Sequence, residues 1–129
     1  MKKFITLTAL IAIFALDAWS DKGESRMKFA ETVYDFGTIK ENGGSVVCEF
    51  EFENQGNAPL VIFDATAECG CTRPQYPKNP IAPGKKGKIK VTYNPKGRPG
   101  AFDRTVTVKT NGTPKKLRVK IRGTVTPGK

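Results

Sequence analysis

The segment Val46-Val47-Cys48-Glu49-Phe50-Glu51-Phe52-Glu53 decides the fold class. Its even positions hold valine, cysteine and two phenylalanines, and from residue 49 its odd positions are all glutamate. Successive side chains of a strand point to opposite faces, so the even set faces a core and the odd set faces water. The same two-residue rhythm recurs on the C-terminal side. Lys88 to Asn94 turns Ile89, Val91 and Tyr93 inward and Lys88, Lys90 and Thr92 outward. Near the end, Leu117, Val119, Ile121 and Val125 lie opposite Lys116, Arg118, Lys120 and Arg122. On the run before it, Phe102, Val106 and Val108 lie inward, with Asp103, Thr105, Thr107 and Lys109 outward. Leu60 to Thr66 alternates less cleanly and reads as a strand covered on both faces. Shorter candidates are Met27 to Ala30 and Val33 to Phe36.

Turn signals separate these runs: Asn42-Gly43-Gly44, Gln55-Gly56-Asn57, Pro83-Gly84, Asn94-Pro95, Pro99-Gly100 and Asn111-Gly112. They supply positive φ or a fixed proline φ where the chain must reverse. About seven short antiparallel strands, each with one polar face, must bury their apolar faces against a second sheet. The expected fold is an immunoglobulin-like antiparallel β-sandwich over residues 27–126, preceded by a linker at 21–26. The chain of 129 residues has room for one such core.

Residues 1–20 carry the parts of a secretory signal: Lys2 and Lys3, an apolar run from Phe4 to Leu16, then small residues. Cleavage is expected after Ser20, with Ala18 as the alternative. The run is shorter than the roughly 20 residues of a spanning helix. No cysteine follows it, so a lipid-modified N-terminus is not expected. The mature chain is read as exported, to the periplasm or beyond the cell, and as not spanning a membrane.

The net charge of +10 is unevenly distributed. Residues 21–72 hold 4 basic and 10 acidic side chains, whereas residues 73–129 hold 16 basic and 1 acidic. Such asymmetry points to an anionic partner or to pairing between the halves. If the Val46 strand neighbours the Lys88 strand, Glu49 and Glu51 meet Lys88 and Lys90. The last strand lacks acids enough on its hairpin partner, so Lys116, Arg118, Lys120 and Arg122 should form a basic ridge. That ridge either protects a sheet edge against pairing or receives an anionic envelope component or protein. No aromatic side chain stands among the outward residues to stack on bases, so nucleic acid is not the expected partner.

The three cysteines divide in two. Cys48 sits on the inward face of its strand and reads as a small core side chain, with a disulfide to Cys69 or Cys71 as the alternative. Cys69-Gly70-Cys71 puts two thiols on one side of an extended chain with Cα atoms about 6.5–7 Å apart, at the limit for a disulfide unless Gly70 bends the backbone. A bridge made this way would be strained and more easily reduced than an ordinary one. The pair is therefore a disulfide, a redox-active dithiol or a soft-metal ligand pair. Three cysteines without histidine do not make a tetrahedral zinc site.

Histidine is absent from the whole chain, which removes Ser-His and Cys-His nucleophile arrangements. Glu49, Glu51 and Glu53 form a flat solvated row, where general acid–base work needs environments that push carboxylate pKa values apart. No glycine pair joins a strand to a helix as phosphate loops do. Asn111-Gly112-Thr113 matches a glycosylation sequon, and a tight turn accounts for it. The chain is read as non-catalytic, with no catalytic, cofactor-binding or metal site expected.

Five segments together carry a resemblance: Asp35-Phe36-Gly37-Thr38-Ile39, the run from Asn54 to Ile62, Cys69-Gly70-Cys71-Thr72, Pro80 to Val91, and Arg122-Gly123-Thr124-Val125. In this order the chain resembles the domain of unknown function 1573 family over about Lys28 to Val125. The family is similar to Hydin-type and PapD-like immunoglobulin-fold domains, and its members are largely exported proteins of Bacteroidetes and related bacteria. The resemblance implies the fold and marks Cys-Gly-Cys-Thr as a feature of the group. It implies no activity, substrate or catalytic residue.

Overall fold

A computed structural model of the chain describes residues 23–128. The expected signal at 1–20 and the first two linker residues lie outside the described residues. Eight strands follow in order: β1 (Met27–Phe29), β2 (Val33–Lys40), β3 (Val46–Asn54), β4 (Ile62–Ala67), β5 (Thr72–Gln75), β6 (Lys86–Tyr93), β7 (Gly100–Thr110) and β8 (Lys116–Thr126). They form two four-stranded sheets, ordered β1-β3-β6-β5 and β2-β8-β7-β4. The all-β, immunoglobulin-like sandwich implied by the alternation is thus the fold. Two details differ from the expectation. The strand beyond seven is β5, whose four residues include Pro74 and are too few to show a period. The β2–β8 pair is parallel, so the second sheet is mixed.

The inward residues meet between the sheets. Phe50, Phe52, Ile89, Val91 and Tyr93 from the first sheet, and Val106, Val108, Val119, Ile121 and Val125 from the second, are all buried. Tyr93 stacks on Phe102 across the layer, with ring centroids 4.1 Å apart. Non-directional burial of these side chains supplies the main drive to fold, at roughly 1.5–3 kcal/mol each before entropy.

Two placements correct the reading of the sequence. β4, an edge strand beside β7, is covered on one face only: Ile62 is buried and Phe63 stands 61% exposed. β8 is an inner strand flanked by β2 and β7, so its cations do not protect an edge. Residues 24–26 of the expected linker are hydrogen-bonded to the turn after β3. The Asn57 and Gln55 N–H groups donate to Glu24 O (2.9 Å) and Arg26 O (2.8 Å), and Ser25 is buried.

Candidate functional site

The outer faces of the two sheets differ in charge. On the first, β3 and β6 are antiparallel neighbours with Glu49 opposite Lys90, Glu51 opposite Lys88 and Glu53 opposite Lys86. Ion pairs run diagonally, Lys88 to Glu49 at 3.6 Å and Lys86 to Glu51 at 3.9 Å. All four side chains are about half exposed, so each pair contributes about 0.2–1 kcal/mol. That face is balanced.

On the second sheet the expected ridge splits. Lys120 pairs with Asp103 of β7 at 3.6 Å, and Arg122 donates through Nε to Asp35 Oδ2 of β2 at 3.3 Å. Asp103 and the parallel arrival of β2 thus neutralise half of the ridge. The other half stays cationic. Lys116 lies directly opposite Lys109, and Arg118 opposite Thr107, with no carboxylate within 4 Å of Lys109, Lys116 or Arg118 among the described residues. Like charges facing each other across a ladder destabilise it. Lys109 belongs to this cluster, although its own alternation pattern only marked it as outward. The β7–β8 register, closed by the Thr110 N–H to Lys115 O bond of 2.8 Å, brings it there.

The loop closing that hairpin uses Asn111 structurally. Its Oδ1 accepts from Ser25 Oγ–H and Val61 N–H, both at 2.9 Å, and its Nδ2 donates to Pro59 O at 3.2 Å. The amide of the sequon is thereby committed to the fold.

The second cluster lies where the chain crosses from β4 in one sheet to β5 in the other. Cys69 and Cys71 are disulfide-bonded with Cα atoms 5.3 Å apart. Cys69 is half-buried, Gly70 exposed and Cys71 buried. The Thr72 hydroxyl stands 3.6 Å from Cys71 Sγ and 4.0 Å from Cys69 Sγ, and the Cys71 N–H donates to Cys69 Sγ at 3.3 Å. Backbone bonds hold the turn as well: Thr72 N–H to Cys69 O (3.3 Å) and Asn94 N–H to Cys71 O (2.9 Å). Glu68 Oε1 accepts the Thr105 N–H at 2.9 Å, which ties the turn to β7. Two buried polar atoms lack partners among the described residues, Tyr93 Oη and Arg104 Nε. Tyr93 pairs in register with Thr72, and Arg104 neighbours Thr105. No sequence rhythm pointed to Thr72 or Arg104; Arg104 breaks the apolar inward series of β7, which was the available signal.

Cys48 is the free thiol of the three and is buried in the core. Burial, and secondarily the charge of Glu49, pushes its pKa up to about 11.

A hollow of about 560 Å³ at one end is lined by Glu41, Asn94 and Lys96 among others. The Glu41 carboxylate there is committed to the Gly97 and Gly128 N–H groups at 2.9 and 3.1 Å. Among the described residues no group of three or more His, Cys, Asp or Glu side chains could hold a metal ion. Among them no helix is long and apolar enough to cross a membrane.

No curated protein matches the sequence. Solved structures do. A protein of unknown function from Porphyromonas gingivalis W83 superposes with a TM-score of 0.67 at 17% identity, over 78% of this chain and 46% of that one. The chain therefore spans about half the length of that protein. The PapD-like domain 7 of human CEP192 gives 0.66 at 15% identity, over 82% of this chain and 89% of that one. The YadV chaperone gives 0.51 at 18% identity, over 80% and 52%. At these identities the likeness shows the fold alone. Residues 27–125 match the family described as "Protein of unknown function (DUF1573)", and the chain belongs to that family.

Proposed function

We propose that the chain is an exported, non-catalytic binding or scaffolding module of the bacterial cell envelope, whose partner is an anionic envelope component held at the β7–β8 hairpin. The observation that carries this reading is Lys109 facing Lys116 with Arg118 beside them, none within 4 Å of a carboxylate among the described residues. A facing pair of like charges weakens the sheet unless an anion offsets it. The other cations of the outer sheets that come within 4 Å of an acid, Lys86, Lys88, Lys120 and Arg122, are already used inside the fold. The lysine-led apolar run at residues 2–16 supports export. A sandwich with its hairpins outside the core suits the presentation of such a surface.

Retention on heparin and on immobilised lipopolysaccharide tests the reading. Replacing Lys109, Lys116 and Arg118 together with serine should lower the salt needed for elution, because exposed charges act through a screened field. Replacing Lys88 and Lys90 on the balanced face should change it less. Equal elution of the two variants would contradict the proposal.

A further inference from the structure

The geometry points to Cys69–Cys71 as a thiol–disulfide exchange site that takes its electrons from a dithiol partner, with Cys69 as the attacked sulfur. The bridge closes a loop of adjacent-but-one residues, so it removes less denatured-state freedom than a bridge across any longer loop. The turn is meanwhile held without it. Three hydrogen bonds fix the same few residues: Thr72 N–H to Cys69 O, Asn94 N–H to Cys71 O and Thr105 N–H to Glu68. A bond so dispensable to the fold is free to open and close.

The two sulfurs are unequal in a way that sets a direction. Cys69 is half-buried and open to an incoming thiolate, whereas Cys71 is buried at 3% exposure. Each has a donor for the negative charge it would carry as a thiolate: the Cys71 N–H at 3.3 Å for Cys69, and the Thr72 hydroxyl at 3.6 Å for Cys71. Hydrogen bonds to the charged form favour it. Cys48 is removed from the exchange by its burial and its high pKa.

The step balances as follows. A thiolate of the dithiol attacks Cys69 Sγ; the Cys69–Cys71 bond breaks, and its electron pair leaves on Cys71 Sγ, which takes up a proton. The second thiolate of the dithiol then attacks its own partner sulfur in the mixed disulfide, and Cys69 leaves as a thiolate and is protonated. The dithiol is oxidised by two electrons to a disulfide, and the Cys69–Cys71 pair is reduced by two.

Dithiothreitol serves as the dithiol probe and oxidised glutathione as the adduct probe, both read by alkylation and mass spectrometry. Dithiothreitol should reduce the bridge reversibly while the β-sheet circular dichroism stays unchanged. Oxidised glutathione should form an adduct with Cys69 in Cys71→Ser on the order of tenfold faster than with Cys71 in Cys69→Ser. The corresponding alanine variants repeat the comparison should a serine variant fold poorly. A bridge that yields only when the domain unfolds would overturn the proposal. So would equal adduct rates at the two sulfurs, or Cu(I) capture by the reduced pair without any exchange.

Discussion

Asn54 shows how a single side chain can set the shape of one end of the domain. It is fully buried at the end of β3, and all of its amide valences are used. Its Oδ1 accepts from the Arg26 and Gly56 N–H groups at 3.1 and 3.0 Å, and its Nδ2 donates to Ala58 O and Ile81 O at 2.8 and 2.9 Å. Asn54→Ala takes the side-chain partners from those backbone groups, and should cost about 1–3 kcal/mol, read from the urea unfolding midpoint. Gly56 completes the turn, because a Cβ there would meet Ser25 Cα at 2.7 Å. Gly87 answers to a similar constraint. A Cβ at that position would stand 2.6 Å from Phe52 Cζ, a ring only 1% exposed, so Gly87→Ala should cost about 1–3 kcal/mol in the same assay. Cys48 makes a prediction about pH. Its folded pKa of about 11 lies above the ordinary thiol value of 9.0, so between these values the folded state holds a proton that the unfolded state has lost. Stability from this group is intact below about pH 9 and falls as pH rises towards 11. Cys48→Ala should remove that part of the alkaline slope in unfolding free energy; an identical slope in both proteins would refute the assignment. The role of Asn54 was not legible beforehand: the motif around it read as a turn signal, and nothing in the alternation of β3 says that its last residue is a buried polar pin.

At the scale of the element, legibility followed strand length. The long runs β3, β6, β7 and β8 declared their inward residues by period alone, and the structure buries Phe50, Val91, Val106 and Ile121 as that period requires. β5 declared nothing, since Thr72–Gln75 becomes a strand only by pairing with β6, Thr72 against Tyr93 and Gln75 against Lys90. Neighbour relations are a further thing that period cannot carry. The sequence marks β8 as cationic, but only the assembled sheet turns half of that ridge into ion pairs, Lys120 with Asp103 of β7 and Arg122 with Asp35 of the parallel β2. The unpaired half yields an element-scale prediction with two opposite signs. Lys116→Glu replaces a like pair with an attractive one opposite Lys109, and should raise stability by about 0.3–1 kcal/mol in thermal or urea unfolding. The same change should weaken retention on heparin. A more stable protein that binds less well separates a surface kept for a partner from one kept for the fold.

At the scale of the molecule, the two-layer architecture lays the charged side chains of the strands out on flat faces. Side chains that alternate across two sheets leave a dry apolar layer inside and two flat polar faces outside, and flat faces do not bring ionisable groups together to perturb one another. One face cancels its charges between β3 and β6, and the other concentrates cations at the β7–β8 hairpin. The sequence revealed the imbalance between its halves, but not which cations the fold would consume. Net charge and charge placement can be separated by one measurement. In a variant carrying Lys116→Thr, Arg118→Thr, Glu51→Gln and Glu53→Gln, two cations and two anions are removed together, so the net charge stays at +10 while the hairpin loses its cluster. Salt-gradient elution from heparin should then fall clearly below that of the unaltered protein. Co-elution of the two would mean that overall charge alone drives binding, and would contradict the assignment of a partner surface to the β7–β8 hairpin.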